Sequence, residues 1–328
     1  MKILIIRFSS IGDIVLTSPV VRCLKKQLPD VELHYLTKAG FAPIVNANPY
    51  VSQVKVLDKD WKKMMQDLNA ENYDLIVDLH HNIRTWRIKR GLAKVRSVAF
   101  DKLNYQKWLM VRFKINKLPN IHIVDRYLGT VQYLGVRNDD EGLDFFIKDM
   151  DKMSLSDMLP AHFQNGYIGL VIGASYETKQ LPVSKLIELC QTIQKPIVLL
   201  GGKEDMENGK ALSALAPERI FDACGKFSLM ESAFLVSKAE KIVLHDTGLM
   251  HIAAAFQKPI VSVWGNTIPE FGMYPYYGKR KNQNTSFEVK GLSCRPCSKI
   301  GYHKCPKKHF KCMNEQDVKG LVEVVAAI

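Results

Sequence analysis

Short apolar runs alternate with longer stretches of helical spacing from one end of the chain to the other. In the first half, Lys2 to Phe8, Val31 to Leu36, Val51 to Leu57, Tyr73 to Leu79 and Val95 to Phe100 have strand length and an aliphatic or β-branched content. The second half restarts the pattern with Tyr167 to Ile172, Pro196 to Leu200, Lys241 to Leu244 and Pro259 to Val263, each followed by a polar or glycine-containing turn. Near-continuous apolar strands separated by helices are what a parallel sheet covered on both faces requires. The pattern therefore predicts an α/β protein of two doubly wound parallel-sheet domains. Apolar periodicity lapses from Lys148 to Asp157 and through the Pro160 to Gly166 turn, which divides the chain into residues 1–158 and 159–328. The tail from Glu315 to Ile328 reads as a closing amphipathic helix, with Val318, Leu321, Val322 and Val325 at helical spacing, and such a helix can pack back on the first domain.

Size and charge narrow the partners. A chain of 328 residues with 47% hydrophobic content is long enough for two cores. Its longest apolar runs, such as Ile3 to Ile6 and Val198 to Leu200, are far shorter than the ~20 residues needed to cross a bilayer. Met1 and Lys2 lead straight into strand-like residues without a small-residue cleavage site, so a cytoplasmic location is expected, with all seven cysteines reduced. The net charge of +13 favours acidic partners: nucleic acid, an anionic membrane leaflet or a phosphorylated sugar. Recognition-helix and zinc-finger signatures are not evident, so nucleic acid is not expected.

In open parallel sheets ligands bind beyond the carboxyl ends of the strands, so chemistry is sought in the turns there, where two facing domains would enclose a cleft. The first turn is Arg7-Phe8-Ser9-Ser10-Ile11-Gly12-Asp13, leading into a helix that runs to about Leu28. Its small residues permit a sharp turn, and Asp13 reads either as a helix cap or as a general base for an acceptor hydroxyl. The second is His245-Asp246-Thr247-Gly248-Leu249-Met250-His251, opening a helix through Phe256. Asp246 or Thr247 can cap that helix, while the amides of Thr247, Gly248 and Leu249 suit a diphosphate. Gly248 permits close approach, and His251 reads either as a further donor or as a core histidine. The third, Gly173-Ala174-Ser175-Tyr176-Glu177-Thr178-Lys179, offers hydroxyl residues such as Ser175 and a lysine to neutralise phosphate. The fourth, Gly201-Gly202-Lys203-Glu204-Asp205, offers Asp205 to ribose hydroxyls, although the full dinucleotide fingerprint is missing.

Together these segments resemble the heptosyltransferases of glycosyltransferase family nine, most strongly in SSIGDIVLTSP at Ser9 to Pro19, in DTGLMHIAAA at Asp246 to Ala255 and in the KPIVSVWGNT that follows. The resemblance implies a GT-B architecture of two Rossmann-like domains, with the acceptor in the first and the nucleotide sugar in the second. It implies Asp13 as catalytic base, Lys179 and the Asp246, Thr247, Gly248 and His251 loop on the donor diphosphate, Phe227 against the adenine, and Asp205 at the ribose. It also implies a single displacement with inversion that requires no metal cofactor. The expected partners are an ADP-sugar donor, an anionic lipopolysaccharide core acceptor and the anionic inner face of the inner membrane, where the protein would be peripheral.

The loop Asp78-Leu79-His80-His81-Asn82-Ile83-Arg84 resembles the family's acceptor loop. Arg84 and Arg87, with Arg7, Ser10 and Gly12 of the first turn, are then acceptor-binding candidates, while Arg112 and Arg126 are weaker ones. Cys294, Cys297, Cys305 and Cys312 crowd four thiols into nineteen residues beside His303 and His309. They read either as a structural zinc site or as a reduced loop whose lysines meet membrane or acceptor. Two other functions fit parts of the pattern: a nucleotide-sugar epimerase of similar architecture, which would form product without acceptor, and a non-catalytic polyanion-binding module, which a carboxylate at Asp13 disfavours.

Overall fold

The computed structural model describes residues 1–327. Among the described residues, eleven strands form two all-parallel sheets. The first contains β1 (Lys2–Ile6), β2 (Glu32–Thr37), β3 (Gln53–Val56), β4 (Leu75–Asp78) and β5 (Arg96–Ala99) in the order β3-β2-β1-β4-β5. The second contains β6 (Ile168–Val171), β7 (Ile197–Leu200), β8 (Ile220–Asp222), β9 (Lys241–His245), β10 (Ile260–Trp264) and β11 (Asn284–Glu288) in the order β11-β10-β9-β6-β7-β8. All nine strands expected from the apolar runs are present. The two that were not foreseen are edge strands: β8 has three residues, and β11 is the polar NTSFE, whose side chains are exposed or half-exposed. Neither needs an apolar run, because an edge strand has only one paired side and little covering.

In both sheets the strand order reverses beside the first strand of the set, between β1 and β4 and between β6 and β9. These reversals are the switch points where loops part and a ligand can enter. Every residue of β4, β6, β7, β9 and β10 is buried, as sheets covered on both faces require. Leu4, Ile6 and Ile76 pack with Met64, Leu68 and Ile88 from helices in the first core. Leu170, Val243 and Val261 pack with Leu186, Leu189 and Leu321 in the second. Burying one such side chain contributes roughly 1.5 to 3 kcal/mol.

The chain divides into two compact units, one around each sheet. One comprises Met1–Asn104, Ile121–Lys148 and Gly278–Arg280, and the other Tyr105–Asn120, Asp149–Tyr277 and Lys281–Ile328. Within the first, buried Arg22 fastens the returning segment by donating to Asp139 at 2.7 Å and to the Gly142 carbonyl at 2.9 Å. The expected first helix is split into Ile11–Val15 and Ser18–Gln27, because Pro19 in the first turn of the second segment has no N–H to offer the preceding turn. The closing helix is shorter than expected, Val318–Ala326, and starts at Asp317, whose carboxylate accepts from the Gly320 amide at 3.0 Å. It packs into the second unit's own core through Val318, Leu321 and Val325. Ile328, the last residue of the expected helix, lies outside the described residues.

Candidate active site

The first switch point is built around Arg7, just beyond β1. Its guanidinium is buried and donates to the Ser9 carbonyl at 2.8 Å, the Leu79 carbonyl at 2.5 Å and the Tyr127 hydroxyl at 3.1 Å. The remaining nitrogen pairs with Asp13 Oδ1 at 2.6 Å. Asp13 Oδ2 accepts from the Ser10 amide at 3.1 Å and the Ser10 hydroxyl at 2.8 Å. The cap reading of Asp13 is therefore realised, since it reaches back to the residue that starts its helix, yet its side chain keeps 20% of its surface exposed. Burial pushes the Asp13 carboxyl up, but the Arg7 charge and the Ser10 hydrogen bonds outweigh it and hold the group below the ordinary aspartate range.

Beside it, the loop after β4 is folded by Asp78, whose Oδ1 accepts from the His80 and His81 amides at 3.1 and 2.6 Å and whose Oδ2 pairs with Lys89 at 2.9 Å. His80 lies against Phe8 with ring centroids 4.8 Å apart, and burial followed by the nearby Arg7 and Lys102 charges lowers it to about 4, so the ring is neutral. Asn82 starts the Ile83–Gly91 helix by accepting from the Arg84 and Thr85 amides at 2.9 and 3.1 Å. That helix presents Arg84 to solvent, whereas Arg87 rests on the Trp61 ring at 4.6 Å. Gly12 is buried in the first helix and Ser10 begins it. Arg112 is exposed in the Asn104–Phe113 helix, and Arg126 is half-buried, with its guanidinium 3.3 Å from the Asp101 carbonyl.

The second switch point joins the turns after β6 and β9. Lys179 Nζ lies 2.7 Å from Asp246 Oδ2, and Thr267 donates to the same oxygen at 2.9 Å. Asp246 does not cap the following helix, because its carboxylate is turned to Lys179 and Thr267. Thr247 occupies the cap position without a side-chain cap bond. Its buried Oγ1 has no hydrogen-bond partner among the described residues. The first-turn amides of Gly248–Ala255 are thus left without a side-chain acceptor, beside one ammonium. His245 at the end of β9 is buried and accepts from the Leu181 amide at 2.9 Å through Nε2, with burial lowering it to about 4.

His251 is only 2% exposed. Asp205 is also buried. It accepts from the Gly202 amide at 2.8 Å, and a Cβ placed on Gly173 would lie 1.9 Å from its Oδ2, so it locks the turns after β6 and β7 together and has little surface for a ribose. Asp246 is paired with Lys179. Ser175 is exposed on the Gly173 to Lys179 turn, and Phe227 is half-buried in the turn after β8, on the same carboxyl edge of the sheet.

Sequence reasoning missed Tyr127, which holds Arg7 from 120 residues away, and Thr267, which holds Asp246. Thr267 had a signal, because it follows β10 on the edge that carries the other turns. Tyr127 had none. It also missed Thr178, whose hydroxyl and amide donate to the Tyr302 carbonyl at 3.0 and 3.2 Å and fasten the Lys179 turn to the cysteine loop.

In that loop, burial, with charge on the neighbouring thiols, pushes the Cys297 thiol up to about 11 and the Cys312 thiol up to about 12. Cys294 Sγ lies 3.8 Å from His309 Nε2. Thiols with imidazole suit zinc or iron, but among the described residues no three His, Cys, Asp or Glu side chains stand in a metal-holding arrangement.

A family model described as glycosyltransferase family 9 (heptosyltransferase) matches residues 61–303. Lipopolysaccharide heptosyltransferase 1 of Campylobacter coli is 28% identical over 291 residues, covering 81% of this chain and 84% of that protein. Among solved structures, E. coli ADP-heptose lipopolysaccharide heptosyltransferase II superposes with a TM-score of 0.75 at 19% identity, covering 100% of this chain and 98% of that one. E. coli heptosyltransferase WaaC with ADP gives 0.70 at 21%, covering 99% of each. At such identities the structures establish a shared GT-B fold.

Proposed function

The chain belongs to glycosyltransferase family 9, and from that premise we propose that it transfers a heptose from an ADP-linked donor to the inner core of lipopolysaccharide. The observation that carries the donor half is Lys179 held by Asp246 at 2.7 Å beside a helix start whose amides lack a side-chain acceptor, at the switch point of the second sheet. An ammonium and several convergent N–H groups suit a diphosphate, and they offset the charge that grows on it as it leaves.

The acceptor half rests on Asp13. A carboxylate held below its ordinary range is a weak base that stays ionised at neutral pH, so its role is to receive the proton that the acceptor hydroxyl sheds as its bond to carbon forms. The acceptor oxygen attacks the anomeric carbon, the bond from that carbon to the donor phosphate breaks, ADP leaves with the electron pair, and the configuration inverts. Arg84, exposed at the first turn of its helix, is the cation we assign to the phosphate or carboxylate of the acceptor. No described helix is long and apolar enough to cross a membrane, and we place the enzyme peripherally at the inner face of the inner membrane, where its acceptor is anchored.

The test is incubation with ADP-heptose and a deacylated core acceptor, following ADP release and weighing the product. Acceptor-dependent ADP release with a product heavier by one heptose is expected. Turnover of the donor without acceptor, or no turnover with it, would reject the proposal.

A further inference from the structure

The segment from Asn104 to Ile121, part of the second unit from Tyr105 to Asn120, breaks the ordinary rule that aromatic side chains face a core. Tyr105 is 65%, Trp108 50% and Phe113 54% exposed, with Ile115 and Ile121 also open to solvent. The rings pack on one another: Tyr105 stacks on Trp108 at 6.1 Å, and Phe113 meets Trp108 edge-on at 5.2 Å. Within the helix, only Leu109 is buried. The same eighteen residues hold four Lys or Arg and no Asp or Glu. Lys114 anchors the segment by donating to the carbonyls of Pro296 at 2.7 Å and Cys294 at 3.2 Å. The loop that follows those carbonyls repeats the composition, with Ile300 and Tyr302 exposed and four lysines but no acid between Lys299 and Lys308.

We propose that the aromatic and basic segment Asn104 to Ile121 is the element that inserts into an anionic lipid surface. Trp and Tyr combine an apolar body with a polar tip and settle at the headgroup level, while flanking cations meet anionic lipid. A second copy of the chain is a poor occupant, because a two-fold contact would set this acid-free basic segment against itself. The inference rests on the proposed lipid-anchored acceptor for its purpose, but its chemistry is independent of the transfer reaction.

Flotation with phosphatidylcholine vesicles, with and without phosphatidylglycerol, tests it. The wild-type protein should float with the anionic vesicles and lose them in high salt. The Tyr105→Ser/Trp108→Ser double variant should bind about tenfold less, Lys117→Gln about fivefold less, and Trp108→Phe nearly as the wild type. Transfer to a deacylated, water-soluble acceptor should be unchanged in the double variant, whereas transfer to an acceptor embedded in vesicles should fall with the binding. Loss of transfer to the soluble acceptor in the wild type would sink the reaction proposal and leave the flotation result standing. Flotation of the double variant equal to wild type, binding to neutral vesicles alone, or conversion of a wild-type dimer to a monomer in the double variant would overturn the membrane assignment.

Discussion

Replacing Asp13 with asparagine separates the base reading from the cap reading. The carboxylate takes three contacts, from Arg7 at 2.6 Å, the Ser10 hydroxyl at 2.8 Å and the Ser10 amide at 3.1 Å. Asparagine keeps one acceptor oxygen for Ser10 but leaves the guanidinium without its charge partner. Cutting a fully buried pair costs about 3 to 5 kcal/mol. Here Asp13 is partly exposed and Arg7 retains its bonds to Ser9, Leu79 and Tyr127, so the loss of one charge-assisted contact, about 1.5 to 3 kcal/mol, is the better measure. The variant should unfold earlier on heating but remain folded at assay temperature. Removing a general base lowers turnover by roughly 10² to 10⁴-fold. Titration calorimetry should return a wild-type affinity for ADP, since every proposed donor contact lies in the second unit. Product formation within about threefold of wild type, in a variant shown to be folded, would refute the base assignment and leave Asp13 a helix cap.

The pH profile follows from the same pair. Because the folded-state pKa of Asp13 is depressed, its stabilising contribution is present above the unfolded value, near ~3.9, and is lost as pH falls through the lower folded value. The acid limb of turnover should accordingly lie below the ordinary aspartate range and move upward in Arg7→Gln; an unmoved limb would contradict the pairing. Lys179→Ala should weaken ADP binding about 10 to 150-fold by calorimetry, more than Asp246→Asn does, because it also leaves the Asp246 charge uncompensated beside the phosphate; an equal or smaller loss would count against Lys179 as the phosphate cation. Gly173→Ala drives a methyl group to within 1.9 Å of the buried Asp205 carboxylate and should cost roughly 1 to 3 kcal/mol in urea unfolding, whereas unchanged stability would mean the turn can move aside.

Nine of eleven strands, the two doubly wound sheets and the turns at their carboxyl ends were readable along the chain, because a strand buried on both faces must be apolar throughout and a turn must be small or polar. The same local logic marked Asp13, Lys179 and the Asp246 to Gly248 turn. It could not assign their partners. Arg7 meets Leu79 and Tyr127 from 72 and 120 residues away, and Lys179 meets Asp246 across 67, separations that only strand order brings together. Burial was equally hidden: Asp205 and His251 have the residue types of binding groups and sit in the right turns, yet Asp205 packs against Gly173 and both side chains are almost wholly buried. The exposed rings of Tyr105 and Trp108 show the converse, since aromatic residues at helical spacing read as core until the fold leaves them uncovered. Periodicity is a property of neighbours in sequence, and it is enough to specify elements. Which polar groups satisfy one another, and which face water, is decided when distant strands align, because that alignment sets every side chain's desolvation and charge environment.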